Sequence, residues 1–334
     1  MNENQQELRS QTTKYNSISF ENRDRDRGKL VQVLAPATVA NLVCGFDVLG
    51  LCLHEPNDLM EIALLDEKKI VIVSADGYPL PLDPAQNTAG APLVEMINEL
   101  PGNIGFKVTI HKKIKPGSGI GSSAASAAGA VVGANYLLGD YFLKQDLVRF
   151  AMFGEKVASG VKHADNIAPC IYGGITLIRS IHPLDIVPIP SPDLFVTIVH
   201  PQIEVRTSDA RQILRKEVLL KDAIKQWGNI AGLVAGFIQK DLALIGRSLE
   251  DVIIEPVRSI LIPGFDEVKL KCKEAGALGG GISGSGPSIF MLSKDEATAI
   301  AVEKVMKEIY NCIGLDYHTY VTTINQTGVT VIKN

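Results

Sequence analysis

Residues 115–126 read KPGSGIGSSAAS, a stretch in which glycine and serine replace most larger side chains. The segment before it, GFKVTIHKKI (105–114), alternates apolar and polar residues and predicts a half-buried strand. The alanine-rich segment after it predicts a helix that ends near Gly139. A glycine-rich turn between a strand and a helix puts free backbone N–H groups at the positive end of the helix, where phosphate can bind. From the glycines alone, a tight structural turn is an equally good interpretation.

The spacing of this loop excludes two common nucleotide-binding patterns. The pattern GxxxxGK[ST] requires a lysine that is absent here. The pattern GxGxxG does not match either, because the glycines are spaced GxGxG and Ser122 follows directly. Ser122 and Ser123 stand where the helix begins, so we expect them to be cap or first-turn residues.

The composition is that of an ordinary globular protein, with 46% hydrophobic and 21% charged residues in a chain of 334. This length predicts one large domain or two smaller ones. The net charge of −4 argues against nucleic acid or an acidic membrane surface as the main partner. No apolar run reaches the roughly 20 residues that a membrane-spanning helix needs.

Two further features indicate a cytoplasmic protein. Residues 1–28 are polar and lack the apolar core of a secretory signal, so we predict a mobile tail there. The five cysteines are far apart and form no CxxC pair. That arrangement favours free thiols in a reducing compartment over a disulfide framework or a zinc site.

Strand and helix signals mix along the chain without strict βαβ alternation, which favours an α+β fold. The proline-rich segment IHPLDIVPIPSPD (181–193) predicts a domain boundary, with one domain at 29–190 and a second at 191–334. The predicted strands are 29–40, 59–65, 70–73, 105–114, 173–178, 195–200, 288–292, 318–324 and 328–332. The predicted helices are 88–100, 144–159, 208–226, 228–245, 263–275 and 295–309.

The longer pattern PGSGIGSSAAS (116–126) resembles the phosphate loop of the GHMP kinases, a family named for galactokinase, homoserine kinase, mevalonate kinase and phosphomevalonate kinase. Two other family motifs occur in the expected order. LAPATVANLVCGFDVLG (34–50) resembles the N-terminal motif, although Val43 and Cys44 stand where the family more often has small residues or proline. LGGGISGSGPSIF (278–290) resembles the C-terminal glycine-rich motif.

The resemblance implies a two-domain α+β fold. The N-terminal domain would be like the second domain of ribosomal protein S5, and the C-terminal domain would be ferredoxin-like. ATP and substrate would lie in the cleft between the domains. Residues 279–281 and 283–286 are expected to pack against the phosphate loop.

Four blocks resemble the homoserine kinase branch of the family: 35–47, within the N-terminal motif, and 154–174, 200–215 and 255–265. This resemblance implies that ATP, with Mg²⁺, phosphorylates the side-chain hydroxyl of L-homoserine to give O-phospho-L-homoserine on the route to threonine. It also suggests a homodimer. Two alternatives are another small alcohol as the substrate and a non-catalytic sensor built on the same scaffold.

The resemblance assigns roles to the residues of the substrate pocket. Arg211 and Arg258 would bind the substrate carboxylate through forked hydrogen bonds, which lysine cannot form. Asp47 and Asp165 would accept hydrogen bonds from the substrate ammonium. Two residues would complete the pocket: Asn41 and His163.

Phosphoryl transfer needs alignment, a metal ion and charge neutralisation more than covalent chemistry. Mg²⁺ prefers oxygen ligands, and the implied pair is Ser123 and Glu155. Asn166 would hold the attacking hydroxyl in line. The implied catalytic residues are Asn166, Glu155 and Thr207, the last near the γ-phosphate. The implied ATP-binding residues are Asn87, near the adenine, and Lys115, Pro116, Gly117, Ser118, Gly119, Ile120, Gly121, Ser122 and Ser123.

Overall fold

The computed structural model describes residues 29–205 and 207–332, without the side chains of Thr207 and Ser208. The predicted tail at 1–28 therefore lies outside the described residues. Within the described part, helices and two sheets mix along the chain, which confirms the α+β fold. None of the described helices is long and apolar enough to cross a membrane.

The first sheet brings together strands from both ends of the chain. Its strands are β1 (Leu30–Ala40), β2 (Leu49–Leu65), β3 (Ile70–Gly77), β4 (Gly105–Lys112), β5 (Ile175–Ile181), β6 (Leu184–Ile189) and β11 (Thr330–Ile332). The order is β11-β1-β2-β4-β3, with β5 paired to β2 and β6 paired to β5. Strands β3 and β4 run parallel, whereas the other neighbours are antiparallel.

Four helices belong to this half of the chain: α1 (Gly90–Asn98), α2 (Ser122–Leu137), α3 (Lys144–Ser159) and α4 (Ile167–Tyr172). Helix α2 follows the phosphate loop and packs on β1 and β2. Its small residues permit this close approach. A Cβ atom on Gly129 would lie 2.5 Å from Met60 Sδ, and one on Gly133 would lie 2.6 Å from Ile62 Cδ1. Larger residues at these positions would push the helix away from the sheet.

The second sheet is antiparallel and has the order β10-β7-β9-β8. Its strands are β7 (Phe195–Pro201), β8 (Gly279–Ile282), β9 (Ile289–Ser293) and β10 (Tyr317–Thr323). The helices of this half are α5 (Thr207–Gln212), α6 (Leu220–Gln239), α7 (Leu242–Ser248), α8 (Glu255–Arg258), α9 (Phe265–Glu274) and α10 (Glu296–Ile313). Helices α9 and α10 bury Val268, Cys272, Met306 and Tyr310 in the core that backs this sheet.

The structure corrects a predicted helix boundary and adds detail in two segments rich in proline or glycine. The proline-rich segment contains strand β6, in which Pro188 is tolerated because β6 is an edge strand paired only with β5. Helix α6 continues through Gly228, where a side chain would meet open space, so the predicted break near 227 does not occur. Glycines 279–281 of the C-terminal glycine-rich motif lie in strand β8. The domain boundary at 190 stays a prediction, and β11 lies in the first sheet.

Candidate active site

One cavity of about 410 Å³ opens between the phosphate loop, helix α3 and the segment 41–47. Most of the sequence-predicted site residues line it. They are Asn41, Asp47, Asn87, Pro116, Gly117, Gly119, Gly121, Ser122, Ser123, Glu155, His163, Asp165, Asn166, Arg211 and Arg258. Three predicted loop residues are not part of its wall: Lys115, Ser118 and Ile120. The side chain of Thr207 lies outside the described residues.

The phosphate loop has the backbone shape that its glycines suggested. Gly117, Gly119 and Gly121 have φ angles of 75°, 83° and 69°, in the left-handed region that glycine enters without steric cost. Gly121 immediately precedes the first residue of α2, and Ser122 and Ser123, the first two residues of that helix, line the cavity. The unpaired N–H groups at the start of the helix therefore lie at the cavity. This geometry favours the anion-binding interpretation over a plain turn.

Residues 283–286 pack against the phosphate loop, as expected, whereas the nearest atoms to Gly279, Gly280 and Gly281 belong to other parts of the chain. Ser283 Oγ donates to the Gly119 carbonyl at 2.7 Å, and Ser288 Oγ donates to the Ser118 carbonyl at 2.6 Å. A Cβ atom on Gly119 would lie only 2.6 Å from the carbonyl oxygen of Gly286. The two glycine segments therefore touch backbone to backbone, and the shape of the loop depends on both halves of the chain.

A buried ion pair lies under the loop, and sequence reasoning missed it. Lys112 Nζ donates to the Asp58 carboxylate, to the Ser122 carbonyl at 2.7 Å and to Ser126 Oγ at 2.9 Å. Burial lowers the pKa of Lys112, while the Asp58 charge opposes that shift. The alternation of strand β4 carried the signal, because Phe106 and Lys112 are both buried on its inward side.

Lys115, by contrast, does not line the cavity. Its ammonium group donates to Gln202 Oε1 at 2.8 Å. The basic side chain nearest to the phosphate helix is therefore Lys112, three positions earlier than the residue that the sequence suggested.

Three polar side chains from distant parts of the chain meet at the far wall of the cavity. Arg211 Nη2 donates to Asp47 Oδ1 and Oδ2 at 2.9 and 3.0 Å and to His163 Nε2 at 2.7 Å. A ring nitrogen that accepts from a guanidinium belongs to a neutral histidine. Burial lowers the pKa of His163, the Arg211 charge lowers it further and the Asp47 charge opposes the shift. Arg211 Nε is buried without a hydrogen-bond partner in the described residues, so it remains able to bind a ligand.

The second arginine of the pocket is almost completely buried. Arg258 Nε donates to the Ala210 carbonyl at 3.0 Å, and Nη1 donates to the Gly284 carbonyl at 3.3 Å. Burial lowers the pKa of Arg258 to about 10, and the nearby charge of Arg211 adds to this effect. The centroid of the Phe46 ring lies 4.9 Å from Arg258 Cζ and 5.6 Å from Arg211 Cζ, so one aromatic ring lies close to both cations. Two cations held this close together favour an anion between them.

The segment that carries Asp47 has a strained backbone. Asn41, Leu42 and Val43 have φ angles of 75°, 43° and 67°, although none is glycine. Left-handed non-glycine residues cost of order 1 kcal/mol each and are retained where the surroundings hold them. Asn41 provides part of that support, because its Nδ2 donates to the Gly284 carbonyl at 2.8 Å and its Oδ1 accepts from the Asp47 N–H at 3.0 Å.

Two acidic residues lie near the start of helix α2: Asp165 is buried and Glu155 is half-buried. Ser123 Oγ donates to Glu155 Oε2 at 2.9 Å. Burial raises the pKa of Glu155, and burial together with the charges of Asp47 and Glu155 raises the pKa of Asp165 to about 7. Thr38 Oγ1 donates to Asn166 Oδ1 at 2.7 Å, so the amide oxygen of Asn166 faces Thr38 and its amide nitrogen faces away from Thr38. Like the ion pair of Lys112 and Asp58, this support of Asn166 by Thr38 was not predicted from the sequence.

The side chain of Asn87, the predicted adenine contact, forms its hydrogen bonds with the protein backbone. Its Nδ2 donates to the Pro81 carbonyl at 2.6 Å, and its Oδ1 accepts from the N–H groups of Ala89 and Gly90 at 2.8 and 3.2 Å. Asn87 therefore shapes the segment that forms this wall of the cavity.

Comparison with known proteins agrees with this geometry. The GHMP kinases N terminal domain matches residues 88–174, and the GHMP kinases C terminal domain matches residues 233–312. Homoserine kinases of Chloroherpeton thalassium and Methanococcus vannielii are 48% and 41% identical to the chain. These matches cover 84% and 85% of this chain and 92% and 94% of those proteins. The crystal structure of homoserine kinase from Cytophaga hutchinsonii is 47% identical and superposes with a TM-score of 0.87 over 91% of this chain and 98% of that one.

The chain therefore belongs to the GHMP kinase family and has the two-domain fold of that family. Within the family, the relatives at 41% to 48% identity are homoserine kinases, which confirms the branch that the sequence blocks suggested.

Proposed function

We propose that this GHMP kinase transfers the γ-phosphoryl group of ATP to the side-chain hydroxyl of L-homoserine. A new P–O bond forms at that hydroxyl, the β–γ P–O bond of ATP breaks, and ADP, O-phospho-L-homoserine and a proton are released. One observation carries the proposal: the phosphate loop and a pocket with two arginines and two carboxylates open into the same cavity. The loop suits a nucleotide, and the pocket suits a zwitterionic amino acid.

The pocket matches the two charged groups of an amino acid. The unpartnered Nε of Arg211 and the guanidinium of Arg258 would bind the carboxylate, since the two cations already repel each other. Asp165 would accept the ammonium, which would stabilise a carboxylate whose pKa burial has raised to about 7. Asp47 would add a second negative charge while its bond to Arg211 keeps that arginine in place.

The family implies Mg²⁺, and the oxygen donors near helix α2 fit this ion. Ser123 and Glu155 offer one hydroxyl and one carboxylate beside the phosphate loop, which leaves positions for water and phosphate oxygens. A cation there would favour the ionised form of Glu155, whose pKa burial raises. When bound, Mg²⁺ would supply neutralisation of the phosphate charge.

The remaining roles concern alignment. The amide of Asn166, oriented by Thr38, would hold the attacking hydroxyl toward the γ-phosphate. Thr207, whose side chain lies outside the described residues, is proposed to assist near the γ-phosphate on the ground of the family resemblance alone. A loose transition state asks little of a general base, so positioning by these side chains is sufficient. We place the reaction in the cytoplasm, in keeping with five cysteines that are all free.

The first experiment is a substrate panel. ADP release with Mg-ATP is measured on L-homoserine, D-homoserine, L-threonine, L-serine, mevalonate and galactose, and ³¹P NMR identifies the product. We expect strong turnover on L-homoserine alone. Stronger turnover on an alcohol without a carboxylate would remove the proposed roles of the arginines. Nucleotide binding without turnover on any alcohol would instead support the non-catalytic alternative.

A matched pair of variants tests the pocket. Arg211→Lys removes the forked donor but keeps the charge, so we expect the KM for L-homoserine to rise at least 10-fold while the KM for ATP stays unchanged. Arg247→Lys makes the same change on an exposed residue of helix α7 and should leave both constants unchanged. Equal effects of the two variants would contradict the proposed carboxylate site.

A further inference from the structure

Helix α6 buries a polar side chain, Gln226, among the apolar residues of its inner side. Gln226 is 5% exposed and does not line the cavity. Its Nε2 donates to the Cys44 carbonyl at 2.8 Å, and its Oε1 accepts from the Val252 N–H at 3.1 Å. A single buried amide therefore joins the backbones of two segments that lie far apart in the sequence.

The two segments that Gln226 joins carry charged side chains of the substrate pocket. Cys44 lies in the segment 41–47, which ends at Asp47. Val252 lies just before helix α8, whose last residue is Arg258. Neither Cys44 nor Val252 belongs to a helix or a strand, so the bonds of regular backbone structure do not fix these two positions.

Helix α8 is also fixed by bonds that do not involve Gln226. The Asp251 carboxylate accepts from the N–H of Glu255 at 3.0 Å and from the N–H groups of the two residues before it at 2.8 and 3.0 Å. Glu255 Oε1 accepts from the Ile282 N–H at 3.0 Å, and Lys269 Nζ donates to Glu255 Oε2. Because strand β8 and helix α9 hold it in this way, helix α8 is a fixed support.

The segment 41–47 needs such a support, because its backbone is left-handed at several non-glycine residues. Such conformations persist where the surroundings hold them. Asn41 is held at its side chain, whose Nδ2 donates to the Gly284 carbonyl. Cys44 is held at its carbonyl by Gln226. Without that second bond, the strained backbone between Asn41 and Asp47 is free to relax, and Asp47 moves with it.

We propose that Gln226 is a positioning residue for substrate binding, which fixes Asp47 relative to Arg258 through its bond to Cys44. The inference rests on the proposed function, in which Asp47 faces the ammonium and Arg258 binds the carboxylate of one amino acid. In an amino acid a single carbon atom separates these two groups. The protein must therefore hold their partners at a closely defined spacing, and a displacement of about 1 Å is enough to weaken binding strongly.

A purely structural role for Gln226 predicts a different result, and Asn135 is the matched control. Asn135 is 4% exposed. Its Nδ2 donates to the Phe142 carbonyl at 3.0 Å, and its Oδ1 accepts from the Phe142 N–H at 2.8 Å. Neither Asn135 nor Phe142 lines the cavity. Loss of either amide should lower stability, whereas only the loss of Gln226 should weaken substrate binding.

The variants are Gln226→Met and Asn135→Leu, which remove the hydrogen bonds and keep the approximate volume of each side chain. We expect Gln226→Met to raise the KM for L-homoserine at least about 10-fold and to leave the KM for ATP within about twofold of the wild type. Asn135→Leu should leave both constants unchanged, although urea unfolding shows a loss of stability in both variants. An unchanged KM for L-homoserine in Gln226→Met, or equal increases in both constants, would overturn the proposal.

Gln226→Glu tests the bond to Cys44 separately and provides a second variant if Gln226→Met does not fold. The introduced carboxylate still accepts from Val252 but repels the Cys44 carbonyl; once protonated, it donates to that carbonyl again. Burial and the negative charges of Asp251 and Glu255, which also act on Cys44, raise the pKa of this carboxyl, whereas the charge of Lys269 lowers it.

The KM of Gln226→Glu for L-homoserine is divided by that of the wild type at the same pH, because Asp165 titrates in both proteins. This ratio should fall toward one between about pH 8 and about pH 6, while the ratio for Gln226→Met stays constant. A ratio for Gln226→Glu that does not change with pH would contradict the role of the Cys44 bond.

The wild-type protein keeps the two proposals apart. If it phosphorylates L-homoserine and Gln226→Met has an unchanged KM, only the role of Gln226 is refuted. If the wild type prefers an alcohol without a carboxylate, the proposed function is refuted, and the role of Gln226 in binding an amino acid is refuted with it.

Discussion

Replacement of Asp165 by asparagine tests the electrostatics of the pocket most directly. Asp165 is only 5% exposed, and burial raises the pKa of its carboxyl from 3.8 to about 7. The unfolded chain releases the proton near pH 3.8, whereas the folded chain keeps it up to about pH 7. The folded state therefore binds more protons in this window, and the free energy of unfolding falls as pH rises through it.

The magnitude follows from the width of the window. Each pH unit corresponds to about 1.4 kcal/mol, so ionisation of Asp165 costs the ligand-free protein roughly 4 kcal/mol by pH 8. Asparagine has nearly the same shape and does not titrate. We expect the Asp165→Asn variant to match the wild type in stability at pH 4 and to exceed it by several kcal/mol at pH 8. At pH 8 the same variant should raise the KM for L-homoserine 10- to 100-fold, because the ammonium loses a charged acceptor.

Urea unfolding, followed by circular dichroism between pH 4 and pH 8, measures the first effect, and steady-state kinetics measure the second. Asp193→Asn is the matched control, because Asp193 is exposed, and it should change neither quantity. An Asp165→Asn protein that is less stable than the wild type at pH 8, or that keeps the wild-type pH dependence, would refute the reasoning. A stabilised variant with an unchanged KM would refute only the ammonium contact.

Three other predictions concern the support of the site. Gly119→Ala should destabilise the protein by more than about 2 kcal/mol and raise the KM for ATP, because the added Cβ would meet the Gly286 carbonyl. Gly117→Ala, with open space around its Cβ, should cost only about 1 kcal/mol. Thermal unfolding measures the loss of stability of each variant, and steady-state kinetics measure the KM for ATP. Lys112→Met should cost about 3–5 kcal/mol in urea unfolding, with recovery when Asp58→Asn is added. Phe46→Leu should raise the KM for L-homoserine but not for ATP; equal effects would contradict a role limited to the arginines.

Much of the molecule could be predicted from local patterns. Alternation in residues 105–114 gave strand β4, and small residues after Gly121 gave a helix that packs closely on the sheet. The order of the three glycine-rich and N-terminal motifs identified the family before any contact was known. Proline and glycine were less reliable as signs that a strand or helix ends. Pro188 lies within an edge strand and Gly228 within a continuous helix.

The sequence by itself determined which residue types are available to the site and which short segments hold them: the phosphate loop, the two arginines and the buried carboxylates. Only the tertiary structure decided which of them touch. Asp47 and Arg211 are 164 positions apart in the chain, and Ser283 and Gly119 are also 164 positions apart. The basic group under the loop is Lys112 and not Lys115. The pleat of β4 turns Lys112 inward, whereas Lys115 follows the strand and donates to Gln202. Local propensity acts over a few residues, whereas these contacts depend on how the two sheets and their helices close around one cavity.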